Sequence, residues 1–168
     1  MTGLHDIVVT RTGARFMGRQ FPCATGRGGI TRHKREGDGA TPAGSHAVTG
    51  LHFRPDRISR RALPIWARPI RPGDLWSDDP MAPDYNHLTR APYPFGHERL
   101  RRADPLYDLV VTTDWNWPNA QPGAGSAIFV HIWRAPRYPT AGCVAFARHD
   151  FLWIVNRLTP DARLIIQG

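Results

Sequence analysis

Gly125-Ser126-Ala127-Ile128-Phe129-Val130-His131, followed by Thr140-Ala141-Gly142-Cys143-Val144, decides how this chain is read. Ala127 to Trp133 is apolar and rich in β-branched and aromatic residues, which predicts a strand. Arg134 to Pro139 carries two prolines and predicts a loop that brings the chain back. His131 and Cys143 thus stand twelve residues apart, on segments that can meet. A free thiol with a pKa of about 8.5 is only a few per cent ionised at neutral pH, so a nearby imidazole is the usual means of activating it. Gly142 lets the backbone turn tightly beside Cys143, with the amides there free to face a developing oxyanion. A competing reading makes Cys143 a small buried hydrophobe, a common fate of free cysteine. Its place where a loop meets a new element favours chemistry, because Leu109, Val110, Val111, Ile128, Phe129 and Val130 already supply ordinary core.

The remaining composition bounds the class. The 168 residues fit one domain, 1–168, with a substantial core. Proline and glycine number 16 each, yet six Trp and seven Phe are too many for a disordered chain, so short strands and long ordered loops are expected. Two cysteines allow at most one disulfide; Cys23, in Gln20-Phe21-Pro22-Cys23-Ala24, reads as buried packing, and a Cys23–Cys143 bridge that would silence the nucleophile stays open. No apolar run reaches the ~18 residues needed to span a membrane, and Met1 to Thr10 lacks the apolar core of a secretory signal. The net charge of +8 suits polyanionic surroundings, either nucleic acid or an anionic envelope polymer. The arginines are scattered, and no zinc-finger, helix-turn-helix or RNA-recognition signature is present.

Asp6 to Thr10, Ser45 to Phe53 and Leu106 to Trp115 pattern as strands. Arg54 to Arg102, rich in proline and holding Trp66, Trp76, Tyr85 and Tyr93, predicts a long insertion wrapped on a sheet, of the kind that shapes binding sites. Phe151, Leu152, Ile154, Val155 and Leu158 recur at helical spacing until Thr159-Pro160, and a final strand spans Arg163 to Gln167.

Taken together, Thr41-Pro42-Ala43-Gly44, Gly125-Ser126 with Phe129 and His131, and Thr140-Ala141-Gly142-Cys143 resemble the YkuD-like L,D-transpeptidase catalytic domain. Lys34-Arg35-Glu36-Gly37-Asp38-Gly39-Ala40, Tyr85-Asn86 and Asp104-Pro105-Leu106-Tyr107-Asp108 are similar to a compact proteobacterial subgroup of it. The likeness runs in family order from about Cys23 to the C-terminus. It implies a mainly β fold, a sandwich of two mixed sheets with long loops and one helix after the cysteine. It also implies a cysteine acyltransferase acting on peptidoglycan stem peptides of the diaminopimelate type, without cofactor or metal, in the periplasm. Cys143 is then the nucleophile and His131 the general acid and base, with the Ile132 carbonyl orienting the imidazole and the Gly142 and Cys143 amides as the oxyanion hole. Hydrolysis of the same acyl-enzyme would make a carboxypeptidase.

Substrate-binding expectations fall on Arg35, Tyr85, Asn86, Ser126, Thr140 and Arg148. Arg35 or Lys34 could grip a diaminopimelate carboxylate, and Glu36 or Asp38 could attract the acceptor amine; the same segment also reads as a solvated hairpin. Tyr85 and Asn86 could equally anchor the insertion, and Ser126 could be tied to nearby backbone. Two departures stand out. Many members carry a histidine where this chain has Ala141, and an arginine or asparagine where it has Ala145, with Arg148, Arg137 or His149 as candidate replacements. Zinc binding by Cys143 is disfavoured, because neither cysteine belongs to a C-x-x-C pair. A non-catalytic basic envelope or nucleic-acid binding module is the alternative of a different class.

Overall fold

A computed structural model describes residues 2–168. An antiparallel meander opens the chain, formed by β1 (Ile7–Thr10), β2 (Gly13–Phe16) and β3 (Arg19–Phe21). Three two-residue strands follow, β4 (Cys23–Ala24), β5 (Ile30–Thr31) and β6 (Thr41–Pro42), and then the long β7 (Gly44–Phe53). The proline-rich middle is not a bare wrap on the sheet. It contributes β8 (Arg68–Pro69), which edges β7, and a small antiparallel sheet of its own from β9 (Asp74–Ser77), β10 (Leu88–Arg90) and β11 (His97–Arg99). The last part carries β12 (Leu109–Thr113), β13 (Phe129–Ile132), β14 (Val144–Phe146), helix α1 (Arg148–Val155) and β15 (Arg163–Ile166).

Hydrogen bonding runs β3-β2-β1-β15-β7-β12-β13-β14-β4. The path divides at β7, whose first residues pair with β15 and whose last six reach β12. The two sheets that share this strand are both mixed, since β1 and β15 are parallel, as are β13 and β14. Far along the path, β4 packs back toward β2, giving a nearly closed sandwich as expected. No helix among the described residues is long and apolar enough to cross a membrane.

Alternation along the strands separates two cores, because successive side chains in a strand point to opposite faces. Leu109 and Val111 on β12, Val130 and Ile132 on β13, and Val144 and Phe146 on β14 enter the main core, which α1 covers with Phe151, Ile154 and Val155. Val110 and Phe129 point the other way, into a smaller cluster with Ile70, Trp76, Leu100, Tyr107 and Cys143. The same alternation therefore sends His131 to the face that Cys143 occupies.

Element ends differ from the sequence expectation for local reasons. β12 starts at Leu109 rather than Leu106, because the Asp104 carboxylate accepts the Leu106 N–H and turns the chain there. β13 starts at Phe129, because Ala127 sits at φ 52, outside the strand region. The helix stops at Val155, and Leu158 is buried from the turn that follows. Both cysteines are free, and Cys23 lies in the main core as expected, its thiol pushed up to about 11 by burial.

Candidate active site

A cleft of about 540 Å³ opens between the β12–β13–β14 face, the 27–39 loop and the small sheet, and Cys143 and His131 both line it. His131, 5 % exposed, projects from β13, and its Nδ1 lies 2.8 Å from the Ile132 carbonyl. A carbonyl only accepts, so Nδ1 carries the proton and Nε2 keeps its lone pair. Burial lowers the imidazole from 6.5 to about 4, against the opposing pull of the Ile132 carbonyl, so it is neutral at physiological pH. The ring of Tyr107 packs edge-on against it at 5.3 Å.

Cys143 is equally enclosed. Its thiol donates to the Ala127 carbonyl at 3.1 Å and accepts the Phe129 N–H at 3.4 Å. Burial first, and then the nearby Glu98 charge, raise its pKa to about 12. No hydrogen bond joins the sulfur to His131 among the described residues; the resting pair is a neutral thiol and a neutral imidazole sharing one cleft. Contacts between catalytic groups commonly tighten only when substrate binds.

Gly142 adopts φ 144, and a Cβ there would stand 2.9 Å from the Ala40 carbonyl, so the turn requires glycine. Its N–H is not open as the sequence suggests, because it donates to Thr140 Oγ1 at 3.1 Å. The Thr140 hydroxyl in turn donates to the Cys143 carbonyl at 2.6 Å. Thr140 therefore braces the turn that presents the cysteine.

The other expected binding residues divide. Ser126 lines the cleft, yet its hydroxyl is tied to the Glu36 carboxylate at 2.7 Å and not to backbone. Tyr85 is buried behind it, donating to the same carboxylate while accepting the Gly125 N–H. Asn86 does not reach the cleft. Its Oδ1 accepts from Trp76 Nε1 and from the Ala127 N–H, both at 3.0 Å, and its Nδ2 donates to the Trp115 and Asn116 carbonyls. It thereby holds Ala127 in its left-handed conformation, with the carbonyl that anchors the Cys143 thiol. Asn86→Ala, which strands two buried donors and two carbonyls, is expected to destabilise the fold by about 3–5 kcal/mol, read as a lowered midpoint in urea unfolding.

Arg35 is exposed and does not line the cleft, whereas its neighbours Lys34 and Glu36 do. Lys34 Nζ is itself held by Asp38 Oδ1 and the Arg35 carbonyl, each at 2.6 Å, which also removes Asp38 as a free acidic contact. Arg148 is captured elsewhere, since with Arg57 it binds the buried Asp108 and fixes the start of α1. Arg137 reaches the Thr12 carbonyl, and His149 is solvent-exposed beside Asp150. None of the three lines the cleft.

The cleft instead recruits residues that the sequence did not single out. Arg27 and Arg134 stand exposed along it, the latter over the Tyr138 ring. Arg102 lies over the Tyr107 ring and is paired bidentately with Asp104. Asp78 and Glu98 add carboxylates from the small sheet and its edge. Tyr107 belongs to the Asp104–Asp108 motif, which was the available signal; the others come from segments without periodicity. Among the described residues, no set of three or more His, Cys, Asp or Glu side chains gathers to hold a metal ion.

Among known families, the model of the L,D-transpeptidase catalytic domain, YkuD, aligns with residues 7–166. No curated protein and no solved structure matches the chain.

Proposed function

The chain belongs to the L,D-transpeptidase catalytic domain family, and from that premise we propose that it is a peptidoglycan L,D-transpeptidase of the periplasm with Cys143 as its nucleophile. The observation that carries the reading is the placement of Cys143 and His131 on one face and in one cleft, with Nδ1 of the imidazole committed to Ile132. Nε2 takes the thiol proton as the sulfur leaves the Ala127 carbonyl and attacks the carbonyl carbon after an L-configured centre of the donor stem. The oxyanion that forms is met by the Cys143 N–H, the Gly142 N–H being engaged by Thr140. The imidazolium then protonates the leaving amine of the D-residue, and a thioester remains. A diaminopimelate side-chain amine on a second stem attacks it and gives the cross-link.

Among the described residues, Arg27 and Arg134 are the cations that line the cleft without an ion-pair partner, and they replace Arg35 and Arg148 as the grip for donor carboxylates. Incubating the protein with diaminopimelate muropeptides, with products followed by mass spectrometry, tests the assignment. Dimers that have lost the donor's terminal residue are expected. Shortened monomers alone would make the protein an L,D-carboxypeptidase, and unchanged muropeptides would contradict both.

A further inference from the structure

The transfer step leaves one proton without an acceptor. An alkylammonium must lose one proton before its nitrogen can attack the thioester and a second once the bond has formed. His131 can take the second and pass it to the departing Cys143 thiolate, which restores the thiol. The first needs another base, because Nε2 is the one ring nitrogen of His131 not committed to the Ile132 carbonyl, and the second proton occupies it.

We propose that Glu98 is that base, a further catalytic residue that receives the acceptor ammonium in the cleft and takes its first proton; the proposal rests on the transpeptidase reading above. Glu98 projects from β11 into the cavity that Cys143 and His131 share. Its Oε2 accepts from the Tyr107 hydroxyl at 2.5 Å, and that ring packs edge-on against His131. Its Oε1 makes no hydrogen bond to any described residue. Two further carboxylates, Glu36 and Asp78, line the same cavity, and none of the three forms an ion pair among the described residues, although the chain carries a net charge of +8. The neighbouring cations Lys34 and Arg102 are committed to Asp38 and Asp104. Three carboxylates free of ion pairs inside one cavity attract a cation from the substrate.

Glu98 is singled out because its charge reaches the Cys143 thiol and because Tyr107 locks its orientation beside His131. Burial, with Asp78 and Glu36 adding to it, moves its pKa up, while the Tyr107 hydroxyl and Arg102 oppose the shift; a carboxylate so placed is a stronger base than an ordinary one. The step balances. The ammonium gives one proton to Glu98, the neutral amine attacks the thioester carbon, the second proton goes through His131 to the sulfur, and Glu98 later releases its proton to water.

Water needs only one base to attack the same thioester, so the ratio of transfer to hydrolysis isolates the role. For Glu98→Gln, that ratio is expected to fall about 100-fold with an alkylammonium acceptor. It should recover toward the wild-type value with hydroxylamine, an acceptor already neutral at the assay pH. Equal loss with both acceptors, or no loss, would overturn the proposal. The wild-type protein supplies a check that does not depend on the variant folding: its ratio with the alkylammonium should stay nearly flat across neutral pH, because the acceptor binds as the cation and loses its proton inside the cleft, where Glu36, Asp78, Tyr107 and Arg102 are the groups that face Glu98. A rise of about tenfold per pH unit, the signature of neutral amine taken from solution, would contradict it. Absence of any thioester would instead sink the transpeptidase reading itself.

Discussion

Cys143→Ala is expected to eliminate thioester formation and to lower turnover by at least about 10⁴-fold, with the fold preserved. The sulfur shares the cleft with the free Nε2, and alanine removes it without introducing a polar group. The structural cost is small. The thiol makes two weak bonds, to the Ala127 carbonyl and from the Phe129 N–H, and packs in the minor core rather than the main one. Loss of about 1–2 kcal/mol is expected in an unfolding titration, so lost activity cannot be attributed to unfolding. Undiminished turnover would remove cysteine catalysis.

His131→Asn is the second large effect, about 10²–10⁴-fold in the rate of thioester formation. Asparagine can keep a donor near the Ile132 carbonyl while losing the proton acceptor that Nε2 provides. The pH dependence separates this role from simple packing. Burial holds the imidazole near 4, so the acid limb of kcat/KM is expected near pH 4 instead of near 6.5. Stability follows the same group with a definite sign. The folded pKa lies below the unfolded one, so the unfolded chain binds more protons between 6.5 and about 4. Stability is therefore full above pH 6.5 and declines toward pH 4, by on the order of 3 kcal/mol from this residue. The Asn variant should lose that slope along with the acid limb, and an acid limb left in place would assign it to another group.

What could be read from the sequence was local. The apolar run through Val130 announces a strand, Pro136 and Pro139 announce a loop, and strand periodicity then brings His131 to the face of Cys143. The Asp104–Asp108 motif likewise pointed near the site, though its contribution turned out to be Tyr107 against the imidazole ring. What stayed hidden depends on contacts between distant segments. Arg148 matched the need for a cation close to Cys143 in sequence, but Asp108 on the preceding strand connection claims it. Arg35 and Lys34 are adjacent, and only the course of the loop decides which of them faces the cavity. Asn86 has polar chemistry suited to substrate, yet all of its polar groups are spent on Trp76, Ala127, Trp115 and Asn116. Glu98 and Asp78 reach the cleft through a small sheet whose strand pairings are three residues long, too short to leave a periodic trace.

The oxyanion site shows the same division at the scale of one turn. Gly142 is legible as a glycine the backbone needs, and the 2.9 Å approach of a Cβ to the Ala40 carbonyl gives the reason. Its amide is already bound to the Thr140 hydroxyl within the turn, so the proposed oxyanion donor is the Cys143 N–H.

The central claim is a covalent thioester on Cys143, and intact-protein mass spectrometry after brief mixing with a donor stem peptide tests it most directly. The account predicts a mass gain equal to the donor less its terminal D-residue, located by peptide mapping on residue 143, released by hydroxylamine and absent from Cys143→Ala. An unmodified protein that nonetheless processes the stem, or an adduct on any other residue, would contradict it.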